Sequence, residues 1–281
     1  MKLQRWWRKW LHSRWGRMLQ RALGQPPAIP EPLWRQVLGR YPFLNALPAA
    51  EQATLKTLCE RFLAEKEFTG VHGLSINDEM ALCVAAQACL PWIHWGLNGL
   101  DWYADFVGIV IYPAEAVAQR EVADAAGVVH RYRETLAGEA MHGGPVMLVW
   151  SHVEGASAGA AHGHNLVIHE FAHKADMRHK SRYEAANGCP RLPSGFMGLP
   201  ATEAAQRWQT TWSAAFERFG RQVDLAQRFG APPPWMDAYG AQAPAEFFAV
   251  ACEAYWVNRT GFTAEFPDLA PLLDAFFRRP A

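Results

Sequence analysis

The chain has 281 residues, half of them hydrophobic, and its 27 basic and 27 acidic side chains give a formal net charge of zero. This length allows one sizeable hydrophobic core or two small ones. The five scattered cysteines contain no CxxC pair, which argues against a disulfide framework and a thiolate zinc site and for a reducing compartment. No apolar run reaches the roughly 18 residues of a transmembrane helix, so a cytoplasmic location is expected.

The first 30 residues differ in charge from the rest. They carry seven Lys/Arg and no acid, which leaves 20 basic against 27 acidic side chains elsewhere and disfavours direct binding to nucleic acid. Residues 1–23 are rich in tryptophan, and their basic residues interrupt any apolar core of a signal peptide. They predict an amphipathic helix of about three turns, suited to weak contact with a membrane surface or an acidic partner, or to packing on the protein body.

The proline-rich stretch 24–32 predicts a boundary, with a basic, Trp-rich segment and linker at 1–30 and one domain at 31–281. Apolar spacing then predicts a helix around 55–63, and Asn77 or Asp78 caps a second one. Strands are expected at 105–113 and 144–153. Further helices are expected within 164–179, after Thr202, at 244–257 and at 266–279, with a loop at 228–240. Few strands among many helices indicate an α+β fold, mostly helical with a small sheet.

The stretch HNLVIHEFAHKADMRH (164–179) contains an HExxH motif. Residues four apart share one face of a helix, so His169 and His173 can reach the same ion, and Glu170 is placed to take a proton from a metal-bound water. Two imidazoles and a carboxylate suit one Zn²⁺ with a fourth position left for water. The chain's own His and Glu frequencies predict only about 0.03 such matches by chance.

The third ligand has two solutions. His179 lies six residues after His173, as in the metzincin pattern HExxHxxGxxH, and Met197 resembles that family's Met-turn. That pattern needs a glycine where this chain has Asp176, because the helix must turn sharply there. The other solution is a glutamate from a later helix, for which Glu246 is the better candidate.

The sequence resembles a known family at this point. HEFAHKADM, together with YG (239–240) and AEFFA (245–249), is similar to the Mlc titration factor A family of zinc-dependent peptidases, and also to the catalytic domain of anthrax lethal factor. The stretches LWRQVLGRYPFL, GLSINDEMALCVAAQACL and IVIYP extend the similarity to the first family over residues 33–280. The resemblance implies a zincin-like metallopeptidase core with the HExxH motif on its active-site helix.

The same resemblance implies the roles of individual residues. His169, His173 and Glu246 would be the zinc ligands, Glu170 the general base, and Tyr239 the phenol that stabilises the oxyanion. These roles are chemically consistent, because attack on a peptide carbonyl builds negative charge on its oxygen. A loop position without a catalytic role is the alternative for Tyr239.

Four further side chains are weaker candidates. Asp176 and Glu253 each lie seven residues after a presumed ligand and either orient a ligand imidazole or are ordinary solvated carboxylates. His162 and His164 precede the motif helix and either influence metal entry, hold a second ion, or are solvated loop residues. The strand at 144–153 is either an edge that binds extended peptide or a core strand.

Two functions are therefore expected. The first is a zinc peptidase acting on a peptide or protein substrate, with aminopeptidase-like cleavage as one form of this activity. The second, implied by the family resemblance, is binding of a transcriptional repressor of the Mlc type, which regulates sugar-uptake genes. A protein that only sequestered a repressor would have no physical need of Glu170 or Tyr239, but the two roles can coexist.

Overall fold

The protein is described by a computed structural model that covers residues 26–114, 116–123, 129–136, 138–181 and 184–278. Its helices are α1 Glu31–Arg40, α2 Pro42–Asn45, α3 Ala49–Glu65, α4 Asp78–Cys89, α5 Trp150–Gly159, α6 Leu166–Met177, α7 Ala201–Phe229, α8 Pro244–Val257, α9 Arg259–Glu265 and α10 Ala270–Phe277. Its strands are β1 Glu67–Gly70, β2 Gly108–Tyr112, β3 Ala116–Ala123, β4 Val129–Leu136, β5 Gly138–Ala140 and β6 Val146–Val149. The basic segment 1–23 lies outside the described residues.

The fold is mostly helical with a small sheet, which confirms the α+β prediction. The sheet has the order β1-β2-β6-β5. Strands β1, β2 and β6 are parallel, and β5 runs antiparallel to β6. Strands β3 and β4 form a separate antiparallel pair. Parallel strands of this kind are buried, which agrees with the fully buried Ile109, Ile111 and Leu148.

The strand expected at 144–153 is shorter than predicted and is not an edge. It ends at Val149, and Trp150 begins helix α5. Because β6 pairs with β2 on one side and β5 on the other, β5 is the outer strand at this side of the sheet. Strand β5 was not predicted, because three residues are too few to show a hydrophobic period.

Side-chain caps explain where two of the helices begin. Asn77 accepts a hydrogen bond of 2.8 Å from the Met80 backbone N–H, which decides between the two predicted caps of α4. Asn165 does the same for the motif helix α6, accepting from the Ile168 N–H at 2.9 Å. Each cap satisfies one of the backbone donors that a helix leaves unpaired at its first turn.

Helix α7 confirms the predicted apolar face. Trp208 and Trp212 stack with ring centroids 4.9 Å apart, and Phe219 is fully buried on the same face. The helix continues to Phe229 and ends at Gly230, whose φ of 68° is the left-handed conformation that a helix C-terminus favours. The predicted loop therefore starts two residues later than expected.

Helix α8 has the predicted limits and is apolar except for Glu246 and Glu253, in keeping with its burial in the core. It packs against α6, α9 and α10. The helix expected at 266–279 is observed as the shorter α10. The short helix α9, which lies before residue 266, was not predicted. In the described part of the chain no single helix is long and apolar enough to cross a membrane; one sharply bent pair, Asp78–Trp92 with Gly96–Tyr103, meets those criteria jointly.

Candidate metal centre

Helix α6 brings the two histidines of the motif together. It packs against α8, α4 and the β5–β6 pair, so both imidazoles face the neighbouring helix α8 rather than solvent. The Nε2 atoms of His169 and His173 are 3.2 Å apart. At this distance one nitrogen can donate an N–H to the lone pair of the other, or both lone pairs can bind the same cation.

Helix α8 supplies a third donor at the same point. Oε2 of Glu246, in the first turn of α8, lies 3.1 Å from Nε2 of His169 and 3.2 Å from Nε2 of His173. Among the described residues, His169, His173 and Glu246 therefore form a group whose ligand atoms lie close enough together to hold a metal ion.

The three donors fit a tetrahedral ion. Ligand atoms bound to Zn²⁺ at 2.0–2.1 Å in tetrahedral geometry are separated by about 3.3 Å. The three observed separations, 3.1 to 3.2 Å, form a triangle of nearly this size. The donor set of two imidazoles and one carboxylate also leaves a fourth position open, as catalytic zinc sites do.

Glu253 contacts the far side of the His169 ring. Its Oε1 lies 2.7 Å from Nδ1 of His169, and its other oxygen accepts the backbone N–H of Asn165. A carboxylate at this position fixes the ring orientation and directs Nε2 towards Nε2 of His173 and Oε2 of Glu246, where a metal ion could be held. Glu253 was predicted as a candidate for such a contact because it lies seven residues after Glu246 on the same helix.

Proton affinity in the metal-free cluster follows from these contacts. Burial lowers the pKa of His169, but hydrogen bonds to Glu246 and Glu253 outweigh burial and raise the pKa well above its usual value. Burial raises the pKa of Glu246, and hydrogen bonds from His169 and His173 more than reverse this, lowering it to about 2. A proton shared among these groups therefore competes with a metal ion for the same lone pairs.

The cluster lies on the wall of a cleft of about 1200 Å³. Glu170 is buried, only 4% exposed, and lines this cleft beside the two histidines. Tyr239 lines it from the turn Ala238–Ala241 and is 43% exposed, with its ring centroid 5.9 Å from that of His169. Ala140 of the outer strand β5 also lines the cleft.

The contacts of Asp176 correct one expectation. Its Oδ2 accepts the backbone N–H groups of Asn187 and Gly188 at 2.8 and 2.7 Å, and its Oδ1 accepts from Lys180. Both oxygens are thus engaged with the chain that follows α6, and Asp176 fixes that loop rather than a ligand imidazole. Ala185 and Ala186 of the same loop line the cleft, so Asp176 shapes the cleft from behind.

His179 lies away from the cluster. Its ring packs edge-on against Trp102 with centroids 5.3 Å apart, and burial is the first cause of its lowered pKa. Helix α6 ends at Met177 without the sharp turn that would swing His179 inward. Met197 occupies a left-handed position in a separate turn and is 38% exposed. The metzincin arrangement is therefore not formed.

The two histidines before the motif differ from one another. His162 is exposed at the end of a short turn. His164 lines the cleft and pairs with Asp237, its Nδ1 lying 3.2 Å from Oδ2. Asp237 was missed by the sequence analysis, although an Asp two residues before a Tyr-Gly turn is the usual signature of a side chain that caps the turn.

Two histidines and a glutamate that could hold a metal ion are the kind of donor group found in metallopeptidases, and the sequence comparison gives the family. The chain matches the glucose-regulated metallo-peptidase M90 family over residues 7–278 and belongs to it. Membership of a metallopeptidase family implies a metal, and His169, His173 and Glu246 are the residues that could hold it. The match starts inside the basic segment 1–30, and the division of the chain at residue 30 stays a prediction.

Curated relatives share one name, Mlc titration factor A. The protein of Escherichia fergusonii is 33% identical over 87% of this chain and 85% of its own length. That of Salmonella arizonae is 34% identical over 88% and 90%. That of Shigella dysenteriae serotype 1 is 31% identical over 95% and 91%. The chain is therefore similar to these proteins over nearly their whole length.

Proposed function

We propose that this protein is a zinc-dependent peptidase of the zincin type. The observation that carries the proposal is the convergence of three donor atoms from two helices, with mutual separations of 3.1 to 3.2 Å, in a cleft that Glu170 also lines. His169, His173 and Glu246 are the proposed ligands. An ion bound there supplies Lewis acidity, acidifying water and polarising a carbonyl.

The remaining roles belong to side chains of the cleft. Glu170 follows ligand His169 directly, so its buried carboxylate is placed to accept a proton from the attacking water and to return it to the leaving amine. Tyr239 presents a phenol near the cluster and is proposed to donate a hydrogen bond to the oxyanion. Glu253 holds the His169 ring in its orientation.

The outer strand β5 is proposed to bind the substrate backbone. It is paired with β6 on one side only in the described sheet, and its last residue, Ala140, lines the cleft. An extended peptide that pairs with a strand edge is held by main-chain hydrogen bonds, with side chains alternating between the cleft and solvent. In this proposal the pairing brings a peptide bond beside His169, His173 and Glu246 without requiring a particular substrate side chain. A comparison of peptides with free and blocked N-termini tells whether this cleavage is aminopeptidase-like.

The test is hydrolysis of a mixed panel of fluorogenic peptides, with free and blocked N-termini, by wild type and by Glu170→Gln at matched zinc content. We expect wild type to cleave and the variant to lose about a hundredfold or more in kcat, because the general base contributes a factor of 10²–10⁴. Equal rates for the two proteins would remove Glu170 from its role, and no cleavage by either zinc-loaded protein would contradict the peptidase proposal.

A second function is favoured by the relatives' shared name. We propose that the chain also binds a transcriptional repressor of the Mlc type, which would link it to sugar-uptake genes. Calorimetric titration of such a repressor from the same organism with wild type and with Glu170→Gln tests this. Equal affinity of both proteins is expected, since binding needs a surface and not turnover; absence of binding heat at two well-separated temperatures would contradict the proposal, because the heat-capacity change of binding makes the enthalpy vary with temperature.

A further inference from the structure

The short segment before the motif helix is connected to the turn that carries Tyr239. His164 Nδ1 lies 3.2 Å from Asp237 Oδ2. Asp237 Oδ1 in turn accepts the backbone N–H of Tyr239 at 2.9 Å, which caps the turn Ala238–Ala241. One carboxylate therefore joins an imidazole on one wall of the cleft to the backbone of the tyrosine on the other.

Packing around this contact holds the two segments close together. The ring of Trp235, two residues before Asp237, lies 3.4 Å from where a side chain on Gly163 would begin, and 2.5 Å from the same position on Gly261. Gly163 also has a φ of 79° and lies against Ala254 of α8. A glycine is required at 163 on both grounds, and it lets the chain before α6 approach the Trp235–Asp237 segment.

Charge supports the same pairing. A hydrogen bond to Asp237 is the largest cause of the raised pKa of His164, and the reciprocal hydrogen bond is the largest cause of the lowered pKa of Asp237. Both side chains are partly exposed to the cleft, at 43% and 41%. The pair is therefore not part of the core, and we expect its loss to leave the packing of α6 on α8 unchanged.

We propose that His164 is a positioning residue, which fixes Tyr239 over the metal cluster by holding Asp237. The inference rests on the proposed peptidase function for its kinetic consequence, although the structural link does not. His164 does not act on the substrate itself in this assignment. It restricts the turn Ala238–Ala241, so that a partly exposed phenol meets the oxyanion in one orientation, which lowers the entropy lost when the transition state forms.

The structural link is tested by hydrogen–deuterium exchange of the metal-loaded protein. In His164→Ala we expect amide exchange in a peptide covering 237–242 to accelerate at least threefold, while a peptide covering 166–177 exchanges as in wild type. His162→Ala, an exposed histidine of the same segment, is the matched control and should change neither. His164→Gln keeps an N–H donor for Asp237 and should restore most of the protection. Unchanged exchange at 237–242 in His164→Ala would overturn the proposal, whether or not the protein has peptidase activity.

The functional link is tested by a double-mutant cycle with Tyr239→Phe. We expect His164→Ala to lower kcat about tenfold with KM within twofold, as for an interaction made only in the transition state, and to lower it less than twofold in the Tyr239→Phe background. Zinc content, measured for every variant, should stay at one per chain. An equal loss in both backgrounds would show that His164 does not act through Tyr239.

Discussion

Glu253 and His169 are 84 positions apart in sequence, yet Oε1 of the first lies 2.7 Å from Nδ1 of the second. The contact joins α8 to α6 behind the candidate metal site. The second oxygen of Glu253 accepts a hydrogen bond from the backbone N–H of Asn165, the cap of α6. One buried carboxylate thus orients a ligand ring and fixes the start of the helix that carries it.

Replacing Glu253 by Gln should weaken metal binding without preventing folding. The amide keeps one acceptor but loses the charge that makes the ring a better ligand, so zinc affinity should fall by about 10–100-fold. Competition with a chromogenic chelator measures this. Glu217→Gln, on the exposed face of α7, is the control, and an affinity change equal in the two variants would contradict the role of Glu253.

The choice of third ligand can be decided by two alanine variants. Glu246→Ala should reduce zinc affinity by more than the roughly 10–100-fold typical of losing an outer hydrogen-bond partner, because it removes a donor atom itself. His179→Ala should retain wild-type affinity, since its ring packs on Trp102. Zinc content after dialysis against a weak chelator distinguishes them; loss of zinc from His179→Ala alone would favour the metzincin arrangement.

Metal binding should release protons. In the metal-free protein, hydrogen bonds to Glu246 and Glu253 outweigh burial and raise the pKa of His169 well above its usual value, so an ion competes with a proton for this ring, while the pKa of Glu246 is lowered to about 2. We therefore expect metal binding to release protons and the metal affinity to fall as the pH is lowered. Calorimetry in buffers of different ionisation enthalpy measures the release, and heats independent of the buffer would count against it.

The raised pKa of His169 also determines how the stability of the metal-free protein changes with pH. Because the folded-state pKa of His169 lies above its unfolded value of about 6.5, its contribution to stability in the metal-free protein is fully present below that value and is lost as pH rises through the folded pKa. Metal-free protein should therefore lose stability relative to zinc-loaded protein as the pH is raised above neutrality. Urea unfolding of both forms at pH 6 and pH 9 tests this. A difference in the free energy of unfolding between the two forms that is smaller at pH 9 than at pH 6 would refute it.

Asp176→Asn should destabilise the protein by about 1–3 kcal/mol, the cost of leaving buried hydrogen-bonding groups imperfectly paired. The Asp176 side chain is fully buried and accepts from two backbone N–H groups and Lys180. An amide cannot accept from all three, and its NH₂ would face the ammonium. Urea unfolding measures the change. Asp224→Asn, an exposed carboxylate 3.7 Å from Arg228, should cost little, and an equally small effect at Asp176 would contradict the assignment.

The local part of the site was readable in the sequence. His169, Glu170 and His173 lie within five residues, and the helical repeat alone determines that both imidazoles share a face. The buried helix α8 was also predicted to its limits, because a mainly apolar run of this length that begins at a proline and ends before a polar residue has few alternatives. Glu246 was preferred for its place in the first turn of an apolar helix, and the family resemblance, which the sequence comparison supports, implied the same ligand.

The tertiary structure decided what depends on distance in space. The helical period could not tell Asp176 from Glu253, since both lie seven residues after a presumed ligand; only the packing of α6 on α8 puts Glu253 beside His169 and turns Asp176 towards the following loop. The same packing brings Glu246 to the imidazoles across more than 70 residues and leaves His179 on Trp102. Sequence spacing specifies neighbours along one helix, because its geometry is fixed. The meeting of two helices depends on the whole core between them, and no local pattern encodes it.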